Sequence, residues 1–293
     1  MRETPEANLK IGVFSALGVI AIWSGFVVAS RAGVLSALLP YDVAALRFIV
    51  AGVVVLPFAH AWWPRHLPLG AQIAMALSGP GAIYSLLIYA GLANASAAFG
   101  GVFANGSLPI FTMMLMLALT GERPGRGRIF AVAVIVLGGG LLSFSGLRQG
   151  GPDVLTGIAF FLAASATLSC YLVGFRRWGV TPRQALVLVN LPSAAIYLPI
   201  WWFFLPSGMA EADAGTIVFQ ALFQGLGPAF VAVVLIALTA RHLGPTPTAG
   251  VSATVPAMAA ILAVPVLGEI PTPVEWVGIG VVTLGLLLLF RAR

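Results

Sequence analysis

The chain has 293 residues, of which 60% are hydrophobic and 8% charged, with a formal net charge of +6. Soluble domains carry about 25% charged residues, so water is excluded as the only solvent; the basic residues sit scattered between apolar runs, and no nucleic acid is expected as a partner. A single cysteine, Cys170, excludes an intramolecular disulfide and a cysteine metal cluster, and reads as a small buried apolar residue.

At about 20 apolar residues per span, the breaks in hydropathy place helices at 11–30, 41–63, 69–92, 96–120, 128–146, 154–175, 183–205, 214–240, 246–267 and 273–291. The first follows a short polar segment, Met1–Lys10, and is long enough to be a retained span rather than a cleaved signal. Leu67–Gly121 carries no charge and is too long for one span; Ala93–Ser96 is its natural turn. The segments are apolar throughout rather than alternating, which favours helices over a β-barrel.

Twelve Lys and Arg residues fall in loops or ends on one side: Arg2, Lys10, Arg65, Arg123, Arg126, Arg128, Arg176, Arg177, Arg183, Arg241, Arg291 and Arg293. Two, Arg31 and Arg148, fall on the other, with Asp153, Glu211, Asp213, Glu269 and Glu275. Short cytoplasmic loops concentrate basic residues, so both termini are expected in the cytoplasm.

The two halves repeat. Gly121-Glu122-Arg123-Pro124 recurs as Gly268-Glu269-Ile270-Pro271, a shift of 147 residues, at which Pro109 also matches Pro256, Leu137 matches Leu284 and Gly138 matches Gly285. Gly79-Pro80 matches Gly227-Pro228 at a shift of 148. With five helices in each, the second repeat must be upside down relative to the first, a design that recurs in transporters. The expected fold is therefore an all-α polytopic membrane protein with ten transmembrane helices as two inverted five-helix repeats, residues 1–147 and 148–293.

Leu46-Arg47-Phe48-Ile49-Val50-Ala51-Gly52 resembles the second-helix motif of the drug/metabolite transporter superfamily, in its EamA-type branch. Trp23-Ser24-Gly25-Phe26 is similar to that family's first-helix Trp-Gly motif, with serine replacing glycine. Pro109-Ile110-Phe111 followed by Gly121-Glu122-Arg123-Pro124 resembles its fourth-helix ending. The resemblance covers nearly the whole chain and is specific for fold, less so for substrate. It implies an exporter of metabolites, with bacterial aromatic amino-acid exporters as the nearest likeness.

Arg47 lies inside a span, about 7 Å along its helix from Asp42 at about 1.5 Å per residue. Intramembrane charge marks a functional candidate; alternatively Arg47 snorkels outward or satisfies a neighbouring helix's carbonyls. No Asp or Glu is placed deep in a helix, so the central cavity is expected to be neutral, lined by hydroxyls, amides and aromatics. Polar stripes supply candidates. Gln220 and Gln224 lie on the eighth helix with Gly227; Asn190 lies on the seventh with Ser193 and Tyr197. Asn105 and Thr112 lie on the fourth, and Ser78, Tyr84 and Ser85 on the third. Trp23 and Tyr171 hold matching positions on the first and sixth, deep enough to stack on a solute. Each of these residues could instead serve interhelical packing. Trp62, Trp63, Trp201 and Trp202 lie at helix ends and read as interface anchors.

Pro80, Pro109, Pro228 and Pro256 each remove a helix hydrogen bond, and as two repeat-related pairs they are candidates for gating hinges; the alternative is a fixed kink. The expected function is a secondary transporter exporting amino acids, aromatic or hydrophobic, by alternating access around that cavity in a bacterial inner membrane. The alternative is an exporter of other amphipathic metabolites or drugs. An intramembrane enzyme is more remote: His60, His66 and His242 all sit at helix ends, and no His-Glu-x-x-His, Gly-x-Ser-x-Gly or Walker pattern is present. No catalytic residue, metal or cofactor is expected; the partners are a small-molecule solute and the lipid bilayer.

Overall fold

The computed structural model describes residues 8–121 and 123–292. Among these residues, ten apolar helices are long enough to cross a membrane: α1 (Leu9–Leu35), α2 (Pro40–Trp62), α3 (Leu69–Asn94), α4 (Ala97–Thr120), α5 (Arg126–Gly150), α6 (Pro152–Arg177), α7 (Pro182–Phe204), α8 (Ala214–Leu243), α9 (Pro245–Leu267) and α10 (Pro273–Arg291). The described residues contain no strand. In a bilayer every backbone polar group must be satisfied within the chain, and helices do this segment by segment. Exposed apolar side chains such as Phe14, Phe203 and Phe204 cover the outer surface, which lipid can solvate.

The helix boundaries follow from local chemistry. Thr181 with Gln184 and Thr272 with Glu275 form reciprocal capping boxes at the starts of α7 and α10, each followed by a proline in the first turn. Gly121 and Gly268, the glycines of the repeated Gly-Glu landmark, end α4 and α9 in the same left-handed conformation, with φ of 69° and 68°. A side chain is disfavoured there, so glycine at both positions is a matter of backbone geometry.

The two repeats interlock. α1 packs mainly on α8 and α9 of the second repeat, and its counterpart α6 packs on α3 and α4 of the first. The fifth helices, α5 and α10, cross antiparallel through glycines. A Cβ at Gly138 would fall 2.8 Å from Gly278 O and 2.8 Å from Val282 N; one at Gly285 would fall 3.1 Å from Ala131 O and 2.9 Å from Ile135 N. The residues of the first set are related to those of the second by the same 147-residue shift that relates Gly138 to Gly285. The seam is thus traversed twice, once in each direction, as a two-fold relation between inverted repeats requires.

Three expectations change. α1 continues past residue 30 to Leu35, so Arg31 lies within a helix; an ion pair to Glu269 compensates its charge. Cys170 is exposed on α6 rather than buried. Trp201 is buried, not an interface anchor, since its indole N–H is used by Asp42 at 2.9 Å; its neighbour Trp202 is 72% exposed.

Among the described residues helical regularity fails at four places. α2 tightens into a 3-10 turn at Leu56–Phe58, at Pro57. α3 is interrupted between Ser78 and Ala82, around Gly79-Pro80-Gly81. α4 contains a wide π-type turn at Gly101–Gly106 just before Pro109, and α8 contains another at Gly227–Val231 spanning Pro228. Each lies at or beside a proline that has no N–H to give to the preceding turn.

Candidate functional site

The irregular stretches of α3, α4 and α8 converge on a cavity of about 1320 Å³ between the repeats. Trp23 and Phe26 of α1, Arg47 of α2, Pro80 and Tyr84 of α3, and Asn105, Pro109 and Thr112 of α4 line it from the first repeat. Tyr171 of α6, Asn190 of α7, Pro228 of α8 and Ser252 of α9 face them from the second. The lining continues to Thr120, Pro124, Arg128, Arg176, Arg177 and Pro182, all at the end of the bundle that carries the arginine-rich loops. At its other extreme it reaches Arg47 and Phe26 and includes none of the residues in the acidic loops. The cavity therefore opens toward the basic end and is blind toward the acidic one.

The blind end is closed by polar bonds between the repeats. Gln220 donates to Ala29 O at 2.7 Å, and Gln224 donates to Ser30 Oγ at 3.0 Å and to Gln220 Oε1 at 3.1 Å. Tyr89 O–H donates to Gln224 Oε1 at 3.3 Å, so the cluster joins α1, α3 and α8. Closer to the acidic end, Asp42 accepts from Leu39 N–H at 2.9 Å, Trp201 Nε1–H at 2.9 Å, Ser207 O–H at 2.7 Å and Gly208 N–H at 2.8 Å. Arg31 Nε donates to Glu269 Oε1 at 2.7 Å, its Nη1 donates to Leu92 O, and Glu269 Oε2 accepts Ala97 N–H at 2.9 Å. This last group pins α1 and the α3–α4 turn to the α9–α10 loop. Charge-assisted bonds of this kind are each worth about 1.5–3 kcal/mol net.

Arg47 is built into the cavity wall, with 3% of its surface exposed. Its Nη2 donates to Pro80 O at 3.1 Å, a carbonyl that the interruption of α3 leaves out of the helix ladder. Its guanidinium lies 5.7 Å from the Phe26 ring centre and 5.9 Å from that of Phe48, contacts that partly compensate a buried cation. Nε has no hydrogen-bond partner, and among the described residues no carboxylate pairs with it. Removing the partner of a buried ion costs on the order of 3–5 kcal/mol, so this placement calls for compensation from elsewhere.

The other sequence candidates divide. Trp23, Tyr84, Asn105, Thr112, Tyr171 and Asn190 line the cavity, as do Pro80, Pro109 and Pro228. Asn190 Nδ2 donates to Leu186 O at 2.9 Å while its Oδ1 has no partner. Gln220 and Gln224 are fully engaged in the closure and do not face the cavity. Ser78 donates to Ala74 O at 2.6 Å within its own helix and is outside the lining; Ser85 is buried and also outside it. Pro256 sits behind the wall, where its Cα lies 3.2 Å from the position of a Cβ on Gly101.

The expectation of a neutral cavity is corrected. Its lining includes Arg47, Arg128, Arg176 and Arg177, and no Asp or Glu among the described residues. The three outer arginines were expected in loops or at helix ends on topological grounds; they lie in the terminal turns of α5 and α6, and sequence reasoning had no measure of how far the cavity extends along those helices. The roles of Asp42 and Glu269 were also missed. A signal was present for Glu269: Arg31, one of two basic residues on the acidic side, needed a partner there.

The model of the EamA-like transporter family matches residues 10–144 and again 155–291. An uncharacterized transporter of Bacillus subtilis strain 168, YwfM, is 28% identical over 268 residues, covering 86% of this chain and 85% of the relative. A solved crystal structure, 20% identical, superposes with a TM-score of 0.63 over 96% of each chain; at that identity the likeness is one of fold.

Proposed function

Because this chain belongs to the EamA-like transporter family, a family of multi-pass membrane proteins that move small solutes, we propose that it exports amino acids with aromatic or hydrophobic side chains from the bacterial cytoplasm across the inner membrane. The observation that carries this reading is the blind cavity between the repeats, where Trp23, Tyr84 and Tyr171 offer rings and Asn105, Thr112 and Asn190 offer polar atoms. Ring surfaces suit an apolar side chain, and amide and hydroxyl groups suit a polar backbone. The arginine excess in the loops supports a cytoplasmic basic end, so the cavity faces the compartment from which an exporter loads. Transport proceeds by alternating access: the polar bonds at the acidic end break as the basic end closes, exchanging the conformations of the two repeats. On this reading each repeat, residues 1–147 and 148–293, is one of the exchanging units. Export of other amphipathic metabolites is the second reading, supported by the cavity's volume; cationic drugs are poor guests for a lining that holds four arginines.

The test is counterflow of labelled amino acids into proteoliposomes. Phenylalanine, tryptophan and leucine should exchange well above glycine and alanine, and downhill exchange should persist without a pH gradient, since no Asp or Glu among the described residues lines the cavity. Replacing Trp23, Tyr84 or Tyr171 by alanine should weaken aromatic solutes more than small ones. Aromatic contacts add about 0.5–1.5 kcal/mol beyond area burial, which corresponds to a loss between about two- and tenfold. Equal loss for all amino acids would contradict the stacking role.

A further inference from the structure

We propose that Arg47 is the anion-recognising residue of this cavity, and that solutes are selected by a carboxylate while an ammonium group is dispensable. The proposal rests on the cavity being the solute site and deepens that reading. Arg47 borders the blind end, nearly enclosed by protein, with Nη2 on Pro80 O and Nε without a partner. The acids that could neutralise it are committed elsewhere: Asp42 has both oxygens engaged by Leu39, Trp201, Ser207 and Gly208, and Glu269 is held by Arg31 and Ala97. Arg176 and Arg177 line the cavity nearer its mouth. An anion moving inward therefore meets positive potential along its path, and at the end a guanidinium whose donors are not all used.

Nothing comparable awaits a cation, since no carboxylate lines the cavity among the described residues. Phosphate sites gather several cations or a helix N-terminus around one point. Here one guanidinium sits at the blind end beside Trp23, Phe26 and Tyr84, a setting for a planar monoanion attached to an apolar body. The carbonyl of Pro80 gives the selection a structural consequence, because a carboxylate drawing on Arg47 acts on the hydrogen bond that braces the interruption in α3.

The test uses the full chain, purified in detergent for thermal shift and reconstituted for phenylalanine counterflow, with 3-phenylpropanoate, phenylalaninamide and 2-phenylethylamine as probes. The acid should stabilise the wild-type protein and compete with phenylalanine, and the amide and amine should do so at least about tenfold more weakly, as loss of a charge-assisted hydrogen bond predicts. Arg47→Gln should bring the acid-to-amide ratio near unity, and Arg47→Lys should keep part of it. An amide or amine as effective as the acid on the wild-type protein overturns the proposal without need of a folded variant. If phenylalanine exchanges and a folded Arg47→Gln retains the acid preference, the Arg47 assignment falls and the transport reading stands. If phenylalanine does not exchange but the acid still stabilises over the amide, the amino-acid reading falls and the Arg47 assignment stands. No response to any of the probes overturns both.

Discussion

At the acidic end of the bundle, Asp42, Glu269 and Gln224 each hold one repeat to the other through several hydrogen bonds. At the basic end, a cavity runs between the same repeats out to Arg128, Arg176 and Arg177, and the rim is tied by a bond from Asn8 N–H to His242 Nδ1 at 3.2 Å, between α1 and α8. Both ends are assembled from the same kind of apolar helix, so hydrophobic burial does not distinguish them. Lipid is as apolar as the helices and gives little net drive to their association; closure at one end is instead made of discrete polar bonds. Such bonds are satisfied together or lost together, which, under the alternating access proposed above, suits a seal that opens completely.

The largest effect expected is all-or-none and tests the orientation of the two ends. With Cys170 replaced by serine, a cysteine at Gln149 or Ala212 should react with an impermeant thiol reagent on intact cells, and one at Trp178 should not. The opposite labelling would reverse the ends and turn the cavity outward.

Next in size is Asp42→Ala, which strips an acceptor from Trp201, Ser207 and Gly208 at once. At about 1.5–3 kcal/mol for a charge-assisted bond, a loss of at least about 3 kcal/mol is expected, read as a lowered midpoint of thermal unfolding in detergent. A midpoint equal to that of a control substitution on the lipid face would remove Asp42 from the closure.

The Arg31–Glu269 pair is partly exposed, with 15% and 19% of the side chains accessible, and solvent screening reduces its worth. Glu269→Gln should shift the balance toward an opened acidic end by about 1 kcal/mol, roughly fivefold in population. A cysteine at Ala95 should then react faster from outside; an unchanged rate would assign the sealing to the Gln220–Gln224 cluster. Smaller again, Pro80→Ala and Pro228→Ala should slow turnover a few-fold, by about 1 kcal/mol of barrier, with less change in solute affinity. Unchanged turnover in both would make the prolines fixed kinks.

The smallest effect concerns Asp213, which caps α8. Hydrogen bonds from Thr216, side chain first and backbone second, hold its carboxyl below its ordinary value of 3.8. A carboxylate with a lowered folded pKa stabilises above its unfolded pKa and loses that contribution as pH falls through the folded value. Wild-type protein and Asp213→Ala should therefore differ slightly at neutral pH and converge below about pH 3.8.

The ten helices were legible in the sequence because each is a long apolar run, and the turn at Ala93–Ser96 falls between α3, ending at Asn94, and α4, beginning at Ala97. The repeats were legible through glycines and prolines whose backbone roles do not depend on their neighbours. The cavity wall was legible in part. Trp23 and Tyr171 could be placed by depth and repeat position, but Gln220 and Gln224 show the same helical spacing whether they face a solute or another helix. That choice depends on the rotation of α8 against α1, where the Gln220 amide lies 2.9 Å from the Cβ position on Gly33, and hydropathy contains no information about rotation. Arg47 was visible as an anomaly, but its acceptor on Pro80 arises from an interruption in another helix.

The glycine seam between α5 and α10 obeys the rule of an isologous interface, in which a patch meets its own counterpart and every contact occurs twice. Here both patches lie on one chain. Because Gly138 approaches Val282 as Gly285 approaches Ile135, exchanging the roles of the repeats leaves this junction with the same set of neighbours. Under the proposed alternating access, the pair can therefore serve as a common bearing for both access states, carrying no preference for either. A substitution such as Gly138→Ala breaks that equivalence: it loads one side of the bearing and not the other, and should shift the resting balance between states as well as stability. The mirrored change Gly285→Ala should shift it the opposite way.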